Sequence, residues 1–231
     1  MHLLSKTKSL LVPSGRRPRT ILAGPYRGLR MSLDLQSETQ LWLGTFEREI
    51  SSWLEQFAAG AEFGIDIGAG HGEYTLFLLA KTQARRIWAF EPDAATVALL
   101  RRNLELNGQH ESPRLTIVPQ PAGCGPSEVA LDSLDVPANG SCFVKIDVEG
   151  FESSVLRSAQ KLLAGPDVRL IIETHSADQE RECLDILRRQ KFQTKIADQG
   201  WWRVLVPENR PIEHNRWLMA WNNPRLVANF S

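Results

Sequence analysis

Three observations predict an α/β fold built on a mostly parallel sheet. From about residue 61, short apolar runs alternate with segments of helical periodicity. A glycine-rich turn, Gly68-Ala69-Gly70-His71-Gly72, joins the first run to the first helix. The alternation stops near residue 190, and three strand-like runs then follow without helices between them. Strands alternating with helices pair in parallel through right-handed crossovers. The terminal strand–turn–strand section means that at least one strand closes the sheet antiparallel.

Residues 1–19 form a basic arm. Lys6, Lys8, Arg16, Arg17 and Arg19, with Arg27 and Arg30 beyond it, all precede the first acid, Asp34. Pro13, Ser14, Gly15 and Pro18 oppose a helix, so the arm is expected to be a flexible, solvated tail. Thr20-Ile21-Leu22 and the run from Leu29 to Leu35 alternate like strands around a Gly/Pro-containing turn, which predicts a hairpin. Two helices follow, Thr39 to Gly44 and Thr45 to Ala59. Phe46, Ile50, Trp53, Leu54 and Phe57 form the apolar stripe of the second. Residues 20–60 are therefore a lead-in that packs on the main domain, 61–231, and partly roofs its cleft. Glu47 is expected to be a surface helix acid more than a ligand contact.

The strands of the main domain are predicted at Glu62–Ile67, Ile87–Phe90, Arg114–Pro119, Cys142–Asp147 and Val168–Glu173. The helices between them are predicted at Glu73–Lys81, Asp93–Asn107, Glu152–Leu163 and Ala177–Gln190, with Asp93 as a cap and Asn107-Gly108 as a stop. Ser127 to Val136 has no decisive pattern. Phe192–Ala197, Trp201–Val206 and Arg216–Trp221 are the closing strands.

The chemistry begins at the glycine turn. Glycines between a strand and a helix let a ligand approach main-chain N–H groups, so Gly68, Ala69 and Gly70 are candidate cofactor contacts, with Asp66 at the end of the strand. A dinucleotide fingerprint wants glycine where this chain has Glu73, and a carboxylate there repels a pyrophosphate. The same carboxylate tolerates a cofactor bearing a sulfonium and an ammonium, as S-adenosylmethionine does. About twenty-five residues on, Glu91-Pro92 ends the second strand, where an acid accepts ribose hydroxyls. Gln120 and Ala122 follow the third strand, in a loop placed to cover an adenine ring.

Lys145-Ile146-Asp147-Val148-Glu149-Gly150 is the second cluster. Lys145 and Asp147 share one face of their strand, and a buried lysine needs acidic partners, for which Asp66 and Glu173 qualify if their strands flank it. Ligands bind beyond the carboxyl ends of parallel strands, which places Asp147, Glu149 and His175 as candidate catalytic groups. Glu152 fits a favourable first-turn charge. Asp147, Glu173 and His175 could also hold a hard divalent cation, but no motif spacing fixes such ligands, and a metal-free site is the expectation.

Composition limits the partners. Twenty-seven basic and 27 acidic residues cancel, so no global field attracts nucleic acid or a membrane surface. Cys124, Cys142 and Cys183 are odd in number and lack metal spacing, and the Leu10-Leu11-Val12 run is too short for a signal core. A cytoplasmic protein without a membrane span is expected. A polymer-directed reading, in which the basic arm engages RNA or protein, stands second, with cofactor binding without catalysis as a further alternative.

FGIDIGAGHGEYTLFLLAK, IWAFEPD, LLRRNLELNG, VKIDVEGFESSVLRSAQKLL and LIIETH, spread over about residues 60–175, resemble the FkbM-type methyltransferases. YRGLRMSLDL, LWLGTFE and HNRWLMAW are similar to further parts of some members. The resemblance implies a Rossmann-like class I methyltransferase fold. It also implies S-adenosylmethionine as cofactor, S-adenosylhomocysteine as product, and methylation of hydroxyl groups on sugars or polyketide-type products. Asp66, Gly68 and Gly70 would line the methionine end and Glu91 the ribose. The family often has Asn and an aliphatic residue where this chain has Gly70 and His71.

Overall fold

A computed structural model describes residues 14–197, 214–224 and 226. The predicted strand at Trp201–Val206 lies outside these residues, as do residues 1–13 of the basic arm.

The lead-in opens with an antiparallel hairpin of β1 (Arg17–Thr20) and β2 (Arg30–Leu33). β1 thus begins inside the stretch assigned to the flexible arm. Arg16 explains the anchoring: it donates to Ser32 O at 2.7 Å and pairs with Glu38 at 3.0 Å. α1 (Thr39–Leu43) follows, and a left-handed Gly44 ends it. The single helix predicted from Thr45 to Ala59 is shorter. Only a 3-10 turn at Arg48–Ile50 and α2 (Ser51–Ala58) form, because Glu47 takes a left-handed φ of 48° that no α-helix tolerates.

The main domain runs β3 (Phe63–Ile67), α3 (Glu73–Lys81), β4 (Arg86–Phe90), α4 (Ala94–Leu106), β5 (Leu115–Val118), β6 (Ser141–Ile146), α5 (Glu152–Arg157), α6 (Gln160–Leu163), β7 (Asp167–Thr174), α7 (Ala177–Arg189), β8 (Gln193–Ile196) and β9 (Arg216–Trp221). The helix predicted over Glu152–Leu163 is two pieces. Asp93 caps α4 as expected, accepting from Thr96 N at 2.7 Å.

Seven strands make one sheet in the order β5-β4-β3-β6-β7-β9-β8. The first five are parallel, and β9 runs antiparallel to both β7 and β8. From β3 the chain builds outward to β5 on one side, then returns to place β6 on the other. The switch point, where open α/β sheets bind ligands, therefore lies between the carboxyl ends of β3 and β6.

Each sheet face has its own core. One contains Phe143, Ile171 and Met219 with Leu76, Leu78 and Leu100 of α3 and α4, and it takes in the lead-in through Ile21, Tyr26, Met31, Leu54 and Phe57. Tyr26 packs edge-on against Tyr74 and Phe77, with centroids 5.8 and 6.1 Å apart. β2 is docked on α4 by two asparagines: Asn103 Oδ1 accepts from Ser32 N, and Asn107 exchanges hydrogen bonds with Arg30. The other core joins Ile65, Val144, Ile146 and Ile172 to Val155, Leu156 and Leu187. The predicted roof is thus continuous with the main core. Among the described residues no helix is long and apolar enough to cross a membrane.

Candidate active site

The glycine turn is shaped by its own chain. Gly68, Gly70 and Gly72 have φ of 72°, 52° and 93°, conformations that disfavour a Cβ. At Gly68 an added Cβ would stand 1.9 Å from Asp147 O, so the glycine lets the β3 and β6 ends close together. At Gly70 an added Cβ meets nothing within 4 Å. That glycine faces open space.

The turn's amides find their acceptors within the chain. Gly68 N and Ala69 N both donate to Phe90 O, at 3.0 and 2.8 Å. Gly70 N donates to Glu91 Oε2 at 3.0 Å, and Gly72 N to Ala69 O at 2.9 Å. With these donors spent, the turn offers a phosphate little. The carboxylates are placed differently. Asp66 is fully buried, with Oδ2 accepting from Thr75 at 2.6 Å and Oδ1 making no hydrogen bond. Glu73, at the start of α3, keeps Oε2 buried and without a hydrogen-bond partner. Burial raises the pKa of both acids above the ordinary carboxylate value, although Lys145 pulls the other way.

Glu91 ends β4 as predicted, and its oxygens already accept from Gly70 N and Asp93 N. Each oxygen has a further lone pair for a hydroxyl donor. Pro92 and Gln120 are exposed beside it, while Ala122 is buried. His71 has a local use: its Nδ1 lies 2.8 Å from Glu38 Oε1, and its carbonyl accepts from Asn103. The lead-in is thereby tied to the glycine turn.

Lys145 fills the space between the β3 and β6 ends. Its Nζ donates to Gly68 O at 2.7 Å and lies 3.7 Å from Asp66, 3.5 Å from Asp147 and 4.9 Å from the centre of the Tyr74 ring. Burial works against its proton, but Asp147, Asp66, Glu73 and Glu47 outweigh burial and raise its pKa. Asp66 was anticipated as a partner, and Asp147 is the second.

Of the three catalytic candidates, Asp147 and His175 meet and Glu149 does not. Glu149 is exposed, outside the cluster. His175 Nε2 lies 3.5 Å from Asp147 Oδ1, and His175 Nδ1 lies 2.6 Å from Glu152 Oε1. Burial works against the imidazole's proton, but the Glu152 hydrogen bond and the charges of Glu173 and Asp147 outweigh it, so its pKa is raised. The sequence reading missed Glu152. It is fully buried and holds His175, where a first-turn helix charge was expected. Glu47 was misjudged too. It is buried, hydrogen-bonded by Tyr74 OH, and its pKa is raised first by burial and then by Glu173.

Comparison with known proteins agrees with the sheet topology. Residues 122–198 match the methyltransferase FkbM domain. No curated protein sequence matches the chain significantly. Among solved structures, the chain is similar to methyltransferase FkbM from Methylobacillus flagellatus, with a TM-score of 0.55 and 22% identity over 70% of this chain and 44% of that one. It is similar to an S-adenosylmethionine-dependent O-methyltransferase from Thermotoga maritima, with 0.52 and 17% over 77% of this chain and 65% of that one. It is also similar to an rRNA methylase from Streptococcus thermophilus, with 0.51 and 14% over 77% and 98%. At such identities these likenesses establish the fold, and this chain spans less than half of the Methylobacillus protein. The match over 122–198 gives this part of the chain a likeness to the methyltransferase FkbM domain, and the sheet order is that of the Rossmann-like methyltransferase structures.

Proposed function

We propose that the protein transfers the methyl group of S-adenosylmethionine to a hydroxyl of a small molecule or glycan, such as a sugar or polyketide-type product. The observation that carries this reading is the glycine turn, whose amides find acceptors within the chain while buried carboxylate oxygens of Asp66 and Glu73 lack hydrogen-bond partners. Such a cradle suits a cofactor whose amino-acid end is cationic and which has no phosphate. The open space at Gly70 leaves room for it. In this reading Glu91 takes the ribose hydroxyls, and Gln120 and Ala122 flank the adenine.

When bound, the cofactor supplies an already activated sulfonium methyl. The chain's own residues then have to hold the acceptor oxygen in line and help it lose its proton. Asp147 and His175, at the tips of β6 and β7, are the groups that can assist this, with Glu152 orienting the imidazole. Three free thiols, two of them buried, accord with a reducing cytoplasmic setting.

The test uses methyl-labelled S-adenosylmethionine with a panel of glycosides and polyketide-type alcohols, alongside calorimetry with S-adenosylhomocysteine and NAD. Label on a hydroxyl, with homocysteine-cofactor binding and no NAD binding, is expected. Label delivered only to RNA or protein, or a preference for NAD, would overturn the reading.

A further inference from the structure

We propose that Asp147, Glu173 and His175 hold a divalent metal ion at the acceptor end of the cleft, an inference that rests on the methyl-transfer reading for the ion's role. One donor atom from each side chain lies within 4.8 Å of the other two. Donors roughly 2.1–2.5 Å from a divalent ion stand about 3–5 Å apart, so these three can share one ion without moving the backbone. They come from adjacent parallel strands: Asp147 follows β6, Glu173 lies in β7, and His175 follows it.

The imidazole supplies a separate argument. Its side chain is 6% exposed, and Nδ1 is engaged by the fully buried Glu152. A carboxylate on Nδ1 keeps the proton there and leaves the Nε2 lone pair for a ligand, as in metal-bound histidines. Nε2 stands 3.5 Å from Asp147 Oδ1, beyond a normal hydrogen bond. That spacing lets one cation bond to both atoms.

Charge points the same way. Asp147 and Glu173 bring two carboxylates to the same end of the cleft. Lys145, which lies beside this group, donates to Gly68 O and stands between Asp66 and Asp147. A set of two carboxylates and one imidazole suits an ion of intermediate character, such as Mn²⁺. With the acceptor hydroxyl as a further ligand, the ion lowers the hydroxyl's pKa and its proton leaves to water. The new C–O bond then forms as the C–S bond breaks, and its electron pair stays on the thioether sulfur.

The full chain, stripped with EDTA, moved to chelator-free buffer and saturated with S-adenosylhomocysteine, is titrated with MnCl2 while free Mn²⁺ is read by electron paramagnetic resonance. Uptake of one Mn²⁺ per chain is expected, weakened about tenfold or more in both Glu173→Gln and Glu152→Gln. Glu152 acts through the histidine, so its effect reports the orienting hydrogen bond. Calorimetry with S-adenosylhomocysteine checks that each variant is folded, and His175→Gln replaces any variant that fails. No uptake by the wild type, or equal uptake by the variants, overturns the metal site. Undiminished methyl transfer in EDTA overturns it as well and leaves the transferase reading intact. A wild type that binds no S-adenosylhomocysteine overturns the reading beneath it.

Discussion

Two cations are buried in the central sheet and are held in opposite ways. Lys145 on β6 is 3% exposed and Arg169 on β7 is 6% exposed. Arg169, near the start of its strand, is fully engaged. Nε and Nη2 bind both oxygens of Asp167 at 2.8 and 2.6 Å, and Nη1 donates to Phe57 O and Ala59 O at 2.9 and 2.6 Å. Lys145, near the end of its strand, has one short hydrogen bond to a carbonyl, and its nearest carboxylates stand at 3.5 and 3.7 Å. One end of the sheet matches its charge donor for donor. The other keeps an excess of carboxylates around a single ammonium. A matched buried pair clamps the fold, here fastening the end of α2 to β7. An unmatched group carries a cost that a ligand's charge can offset, which is why the comparison separates scaffold from site.

The largest expected effect breaks the matched end. Arg169→Ala takes the guanidinium away from Asp167 and two carbonyls, and removing one partner of a buried pair costs about 3–5 kcal/mol. Urea unfolding should show a lowered midpoint, while the folded fraction binds S-adenosylhomocysteine as the wild type does. A loss below about 1 kcal/mol would erase the contrast.

Next comes a pair of glycines in the same turn. Gly68→Ala forces a Cβ against Asp147 O in a left-handed conformation, so stability should fall by at least about 2 kcal/mol. Gly70→Ala has the same unfavourable φ but open space, so it should cost only about 1–2 kcal/mol of stability. Its methyl group instead occupies the cradle and should weaken S-adenosylhomocysteine about tenfold or more. Calorimetry beside urea unfolding checks both. If Gly70→Ala binds normally, the cradle lies elsewhere.

Much of this was legible beforehand because it rests on local pattern. Buried parallel strands are short continuous apolar runs, so β3, β4, β6 and β7 were predicted to within a residue or two, and Asp147 and His175 followed from lying just past strand ends. What was not legible depends on where the backbone points. The amides of Gly68 and Ala69 turn toward β4 because Phe90 O lies within reach, and composition does not show that. Glu152 has the same sequence signature as any first-turn acid. Its difference lies in α5 packing against the end of β7, where His175 emerges. Glu47 sits within an apolar periodicity that suggested helix, and only the left-handed turn at that residue drives its carboxylate inward. The FkbM resemblance implied the proposed cofactor, and the engaged amides then gave a physical reason why a pyrophosphate fits poorly.

Lys145→Met should cost less than Arg169→Ala, about 1–3 kcal/mol near neutral pH, because the acids it leaves can take up protons. Asp66 sets the sign. Burial has raised its pKa above the ordinary value, so its contribution is full below that value and is lost as pH rises through the raised pKa. Removing Lys145 raises that pKa further. The gap between wild type and variant should therefore widen with pH above about 4, as read from urea midpoints across a pH series. A gap that stays constant would mean that Lys145 acts through Gly68 O alone.

Asp167 is expected to show the opposite window with the smallest effect. Burial raises its pKa, but the Arg169 hydrogen bond, the Arg169 charge and a hydrogen bond with Asn223 outweigh burial and lower it. A lowered pKa contributes stability that is present above the ordinary carboxylate value and is lost as pH falls through the folded-state value. Asp167→Asn keeps the shape and removes the charge, so the variant should be the less stable near neutral pH. The difference should persist down to about pH 4 and close only below it. The Lys145 difference, by contrast, opens above that point. Because Asp167 is partly solvated, the effect should be well under the loss in Arg169→Ala. Acid unfolding followed by circular dichroism resolves the two windows. If the Asp167→Asn difference were the same at about pH 3 as at about pH 7, the pair would hold β7 through hydrogen-bond geometry rather than charge.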